Sequence, residues 1–475
     1  MHACTLLQTP QARRGLHHTL AALGALTLTL LAGSLPAQVL DTGTQVATTL
    51  TRPDSKVSPS AGQVRDGLPN EPGTLFQGVD MMNLFIVTES DGGHITLLDG
   101  DRFEPLYRFA PGHRLHDEPR FSPDGRHLFF TSDDGWITKF DLWTLRTVSE
   151  ARVGMQTRNL ALSRDGKYLA VANADPHTLV LLDADLKPIR EHQALNKLRT
   201  QSSPVLGVQD AGPRQSFVAV LADVPEVWEV SYNPTTDDVP IGVIHDFLYK
   251  EGAFIPGFLN PRRSYLAEPI SGFSLTPSSD ELVATGRETG QGQIIHLDVR
   301  KKIANLQLPG RSRLDTGTSW QHRPPSGGPE RTVFAAASLD SNLIGVIDLQ
   351  TWDALKNLSA PGPDSCLHSH ENAPHVWAHS MTVGQAGDTL QLFDKHRLEA
   401  VYSSRPAPGK TLGHVEFTRD GRYAVTSVSG RKGDGGALVV LDAITFKEVK
   451  RVPMDGPVGL YNLHNRIARP LRARG

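Results

Sequence analysis

The chain has 475 residues, enough for several ordinary domains or for one large repeat array. Its 48 Lys and Arg stand against 51 Asp and Glu, and a net charge of −3 argues against a nucleic-acid partner or a polybasic membrane surface. With 43 Gly, 33 Pro and 39% hydrophobic residues, the composition suits turn-rich β structure better than a helical bundle.

Residues 1–37 read as a signal peptide. Arg13 and Arg14 form a basic start, the stretch from Leu20 to Ala32 is apolar and uncharged, and Leu35-Pro36-Ala37-Gln38 is a processing site. The apolar run falls short of the ~20 residues a membrane span needs. Export to the periplasm is therefore expected, with no transmembrane span in the mature chain. Residues 38–73, rich in Thr, Pro, Ser, Asp and Gly without periodicity, read as a flexible linker. Cysteine occurs only at Cys4 and Cys366, and no Cys-x-x-Cys-His run is present, so no c-type haem is attached to this chain in the usual way.

From residue 74 to 475 one short pattern repeats. An alternating strand ending in Asp appears at Ile95–Asp99, Ile137–Asp141 and Leu179–Asp183. It returns at Ile294–Asp298, Ile344–Asp348, Leu390–Asp394 and Leu438–Asp442, with a degenerate copy at Val227–Ser231. The copies lie roughly 40–50 residues apart, the period of a four-stranded propeller blade. Only the step from Ser231 to Asp298 is longer, and its extra length is placed around Phe254 to Arg263. Asp-Gly turns precede several copies, in Ser122-Pro123-Asp124-Gly125, Ser163-Arg164-Asp165-Gly166 and Thr418-Arg419-Asp420-Gly421. Such turns between apolar runs signal hairpins, because Gly accepts the positive φ they need. The fold class is all-β: an eight-bladed β-propeller of four-stranded antiparallel blades, closed by a strand from the segment Phe446 to Tyr461. Trp136, Trp143 and Trp228 fall in strand segments and read as blade packing.

Propellers bind ligands at one mouth of the channel, through the innermost strand of each blade and the loop before it. Those positions hold His116, Asp117 and Arg120, then Arg158, Arg311 and Arg313, His368 and His370, and His414. Repeated cationic and imidazole groups around one channel suit an anionic, metal-bearing ligand such as a haem with several carboxylates.

Longer runs sharpen this. Gly112-His113-Arg114-Leu115-His116, Phe121-Ser122-Pro123-Asp124-Gly125-Arg126 and Lys139-Phe140-Asp141-Leu142-Trp143 resemble the first blades of the d1-haem domain of cytochrome cd1 nitrite reductases. So do Thr157-Arg158-Asn159, Pro225-Glu226-Val227-Trp228, Ser369-His370-Glu371-Asn372 and Pro457-Val458-Gly459-Leu460-Tyr461-Asn462, so the resemblance runs from Leu84 to Asn465. Gly413-His414-Val415-Glu416-Phe417-Thr418 is similar to the related periplasmic proteins that make haem d1, dihydro-haem d1 dehydrogenase among them.

The resemblance implies haem d1, or dihydro-haem d1 as substrate, in the central channel. It implies His116 as the proximal iron ligand, with Asp117 a candidate partner for its ring. Arg120 and Arg158 would pair with the haem carboxylates. His370 matches a distal histidine, and the second distal histidine of the reductases falls at Arg313, which would bind cofactor but cannot give up a proton at ordinary pH. In the biosynthetic reading, His414 or His370 acts as general base while a propionate is oxidised to an acrylate. A c-type cytochrome or a nitrite reductase would be the protein partner. Two alternatives stay open on the sequence: a nitrite reductase subunit fed by an external electron donor, and a non-enzymatic binding propeller without haem.

Overall fold

The computed structural model describes residues 75–90, 93–246, 251–380, 387–430 and 435–467. The expected signal peptide (1–37) and linker (38–73) lie outside the described residues, as do residue 74 and the end of the chain from 468. The described residues form eight four-stranded antiparallel sheets and one two-stranded hairpin. This is the eight-bladed propeller read from the repeats. The second blade to begin in the chain shows the plan, running outward through Leu115–Phe121, His127–Ser132, Trp136–Asp141 and Arg146–Arg152.

The Asp that ends each third strand has a local task. Asp99 Oδ1 accepts the backbone N–H groups of Asp101 and Arg102 at 2.8 and 3.1 Å. Asp141, Asp394 and Asp442 make the same pair of bonds to the second and third residues after them. A short acceptor side chain that bonds backbone two residues on closes the turn to the outer strand. Ser231 does this with its hydroxyl, on the N–H of Asn233 at 3.2 Å, which explains how the degenerate copy still works. The fourth blade-ending motif needs a correction. Its strand is Gly292–His296, the turn is capped by His296 Nδ1, and Asp298 instead pairs with Arg214 at 2.6 Å.

Two further expectations shift. The insertion is the hairpin Val239–Asp246 and Glu251–Ile255, largely ahead of the stretch around Phe254 to Arg263. Pro261–Tyr265, inside that stretch, is the outer strand of its blade and pairs with Glu226–Ser231. Trp228 is fully buried, its Nε1 bonded to Glu226 Oε2 at 2.9 Å, but Trp143 is 51% exposed under the guanidinium of Arg126. Trp143 sits in a turn after Asp141, where no neighbouring blade covers it.

The ring closes between the chain's ends. Pro457–Asn462 is the innermost strand of a blade whose other strands, Phe85–Glu89, Ile95–Asp99 and Glu104–Phe109, come from the start of the described chain. Phe85 lies opposite Asn462 and Val87 opposite Leu460. Phe85, Val87 and Leu98 then pack on Val425, Leu438 and Val440 of the preceding blade. Closure leaves no long exposed sheet edge between first and last blade.

Candidate functional site

In seven of the eight blades the innermost strand slips register near its start. Pairing jumps from His116 to Arg120, Thr157 to Asn159, Ile270 to Gly272, Arg313 to Thr318 and Leu412 to His414. A bulge leaves the skipped residue unpaired and re-aims its side chain. Repeated at one level of a rotational fold, these bulges build a ring of released residues at one channel mouth. His116, Arg158 and Arg313 all stand at that level.

His116 is held by Asp133, with Nδ1 2.6 Å from its Oδ1, and a carboxylate there leaves Nε2 for a ligand. The partner anticipated from sequence was Asp117, and the bulge is the reason it is not. Asp117 takes a φ of 66° and turns its Oδ2 to 3.9 Å from Arg120 instead. That oxygen has no hydrogen-bond partner, and burial pushes the carboxyl up to about 6 against the pull of Arg120. Arg158 is exposed and makes no ion pair among the described residues. Arg313 is already committed: Asp364 takes its Nη1 at 3.0 Å and Asp315 its Nε at 3.2 Å. Burial opposes its charge, and these two carboxylates more than restore it.

Arg120 and His370 come together elsewhere. They line a cavity of 460 Å³ at the far ends of the innermost strands, with Glu118, Asp210, Glu416 and Arg466. His116 is the second residue of its strand, whereas His370 lies two past the end of Ser365–His368, so the two stand at different levels of the channel. Arg120 bonds Glu118 at 2.9 Å and the Leu160 carbonyl at 3.1 Å. The Asn372 N–H donates to His370 Nδ1 at 3.2 Å, which places the neutral ring's proton on Nε2. An Asp-Gly turn also shapes this residue: a Cβ on Gly421, whose φ is +73°, would lie 2.3 Å from His370 Nδ1. Gly421→Ala should therefore cost ~1 kcal/mol or more in urea unfolding and move the His370 imidazole resonances. An unmoved His370 would contradict this coupling.

Asp210 borders the same cavity, accepting from Tyr232 Oη at 2.9 Å. Burial outweighs that bond and pushes its carboxyl up to about 7. The folded protein thus keeps a proton that the unfolded chain gives up near the ordinary Asp value of ~3.9. This group's contribution to stability falls as pH rises between those two values. Asp210→Asn removes that loss, so the variant should gain stability over the parent at pH 8 and little at pH 4 in urea titrations. Equal gains at both pH values would refute it.

His414 is fully buried. Its Nε2 lies 3.3 Å from Arg466 Nη2, and its ring is 5.0 Å from His368 and 5.2 Å from Tyr461. Burial first, then Arg466, drives its imidazole well below the usual range. His368 is lowered likewise by burial, and His379, with Nε2 3.3 Å from His368 Nε2, falls to about 4. His414 was singled out from sequence as a candidate base, but its clustering with His368 and His379 and its contact with Arg466 were not anticipated. His368 and His414 stood in view at strand positions, but His379 belongs to a second strand and Arg466 follows the closing strand, so nothing in the repeat register points to them.

The residues present suit a carboxylated iron tetrapyrrole at the bulged mouth. His116 offers an oriented imidazole, Asp117 Oδ2 is buried without a partner, and Arg158 is uncommitted. A Cβ on Gly272 would meet nothing within 4 Å, so the innermost wall leaves open space there. Arg313 fits less well, since an incoming carboxylate must displace Asp315 or Asp364.

Known proteins agree with this reading. Residues 79–466 match the family model described as Cytochrome D1 heme domain. The chain is 42% identical over 401 residues to dihydro-heme d1 dehydrogenase of Pseudomonas aeruginosa, covering 84% of this chain and 74% of that relative. Nitrite reductase of Stutzerimonas stutzeri is 23% identical (82% of this chain, 71% of the relative), and protein NirF of Pseudomonas aeruginosa 24% identical (80% and 91%). A solved structure of dihydro-heme d1 dehydrogenase NirN in complex with DHE superposes with a TM-score of 0.73 at 40% identity, covering 86% of this chain and 82% of that one. The chain belongs to the cytochrome D1 heme domain family.

Proposed function

We propose that this chain is a periplasmic oxidoreductase of haem d1 biosynthesis that binds dihydro-haem d1 and oxidises one propionate to an acrylate. The observation that carries this reading is the 42% identity to dihydro-heme d1 dehydrogenase across the propeller. The CH2–CH2 unit loses two electrons and two protons. The substrate's own iron is the redox centre, and a c-type cytochrome is the class of external acceptor that takes the electrons. A nitrite reductase is the class of protein that would receive the product.

The chain's own groups bind, orient and move protons. His116, braced by Asp133, is the ligand we assign to the iron. Arg158, Arg120 and Arg313 are assigned to the carboxylates, Arg313 by exchange with Asp364. His370 is assigned to proton handling beside the propionate; His414, fully buried with its Nε2 lone pair covered by Arg466, is not. Export follows from the leader expected over residues 1–37, and among the described residues no helix is long and apolar enough to cross a membrane.

The test is anaerobic incubation of the purified chain with dihydro-haem d1 and an oxidised c-type cytochrome, followed by extraction and mass analysis. A product lighter by two hydrogens is expected. Binding without conversion, joined to nitrite turnover with an external donor, would overturn the dehydrogenase reading in favour of a reductase subunit.

A further inference from the structure

The bulge from His116 to Arg120 joins the two levels of the channel. Its first residue is the ligand assigned to the iron. Its last, Arg120, stands 3.9 Å from Asp117 Oδ2 and lines the 460 Å³ cavity at the far mouth. His370, assigned to the propionate, lines that cavity too, and the exposed Glu371 beside it marks the edge towards solvent. At about 30 Å³ for each water, the cavity has room for ~15 of them.

The carboxyl groups lining this cavity differ in their partners. Glu118 is held by Arg120 at 2.9 Å and by Arg466, and Glu416 is held by Arg466 at 2.7 Å. A guanidinium at that distance keeps a carboxylate ionised. Asp210 instead takes its hydrogen bond from a neutral group, Tyr232 Oη at 2.9 Å. Burial therefore prevails there and pushes the carboxyl up to about 7. The groups facing Asp210 are Tyr232, just past the third strand of its own blade, and Arg164 and Asp165 in the Asp-Gly turn of the preceding blade.

Oxidising CH2–CH2 to CH=CH releases two electrons and two protons. The electrons pass through the substrate's iron to two oxidised c-type cytochromes, one to each. A tetrapyrrole at the bulged mouth covers that end of the channel, which leaves the far mouth for the protons. We infer that the far-mouth cavity is the proton outlet of the reaction and that Asp210 is its relay group. The inference rests on the function proposed above. Each proton passes by way of His370 and cavity water to the Asp210 carboxylate, which hands it to bulk water before the next arrives. Two protons and two electrons leave in each turnover, and Asp210 ends as it began.

The test uses the full chain and Asp210→Asn, which should fold at least as well as the parent. Both should bind dihydro-haem d1 alike by absorbance. With oxidised c-type cytochrome the variant should convert it ~100-fold more slowly, the low end for loss of a proton-transfer group. Added phosphate, a small proton acceptor, should restore part of that rate in proportion to its concentration, and Asp210→Glu should recover more. The parent's rate should fall below about pH 7, where Asp210 already holds a proton, and the variant should lack that limb. Without tetrapyrrole, infrared titration of the parent should show a protonated carboxyl that ionises at about 7 and is missing from the variant. A variant that converts at the parental rate, or a slow one that phosphate does not rescue, would overturn the inference. A parent that converts no dihydro-haem d1 would overturn the proposed function, and the inference with it.

Discussion

Replacing His116 by Ala should abolish binding of dihydro-haem d1. The purified chain mixed with the tetrapyrrole should develop a red-region absorption band, and the variant should not. Iron ligation by a single imidazole is the only coordinate bond assigned to the protein, and its geometry is set by Asp133 at 2.6 Å. Removing that brace alone, by Asp133→Asn, should weaken binding by ~10–100-fold, the usual effect of losing a partner behind a metal-ligating histidine. Since Asp133 lies on the surface side of His116, neither change should lower stability in urea. A His116→Ala chain that keeps the full band would remove the proximal assignment, and with it the placing of the tetrapyrrole at the bulged mouth.

Arg466→Ala should be the most destabilising single change in the channel, by ~3–5 kcal/mol in equilibrium urea unfolding. The reason is what it leaves behind. Arg120 still covers Glu118 at 2.9 Å, but Glu416 loses its ion pair while 5% exposed. An unpaired carboxylate in that position is driven towards its protonated form, so its pKa rises in the folded state. Below the ordinary carboxylate value of ~4.3 both states hold the proton and the penalty vanishes. The deficit relative to the parent should therefore shrink as pH falls from 8 towards 4. A loss under about 1 kcal/mol at pH 7, or one independent of pH, would show that the cluster is solvated and not a packed floor.

Much of the architecture was legible because blade-making signals are local. An Asp whose carboxylate caps the N–H groups of the second and third residues after it can be seen in a few residues, and so can an Asp-Gly turn with Gly125, Gly166 or Gly421 at positive φ. Equivalent chemistry by another residue blurred the pattern. His296 caps its turn through a ring nitrogen, so the repeat was read two residues late at Asp298. The hairpin Val239–Asp246 with Glu251–Ile255 was misplaced because Gly and Pro near Pro256 and Gly257 look like loop, whereas the inserted strands before them look like blade.

Candidate positions at His116, Arg158 and Arg313 were legible, because bulged positions recur at one point of each repeat. Roles were not. Asp117 is next to His116 in the chain, yet the bulge points it away and Asp133, across a hairpin, braces the ring. His414 looked like a base because imidazole titrates near neutrality. Only the fold reveals that Arg466 covers its lone pair.

The number of blades and their order can therefore be read from the chain alone. Those properties are carried by turn chemistry and period, which need only neighbouring residues. Tertiary structure alone decided which side chain orients which: Asp133 on His116, Asp364 on Arg313, His379 on His368 and Arg466 on His414. Each of these pairs joins residues that are at least 11 positions apart in the chain. Hydrogen-bond direction and buried charge depend on distances of about 3 Å that no spacing along the chain encodes.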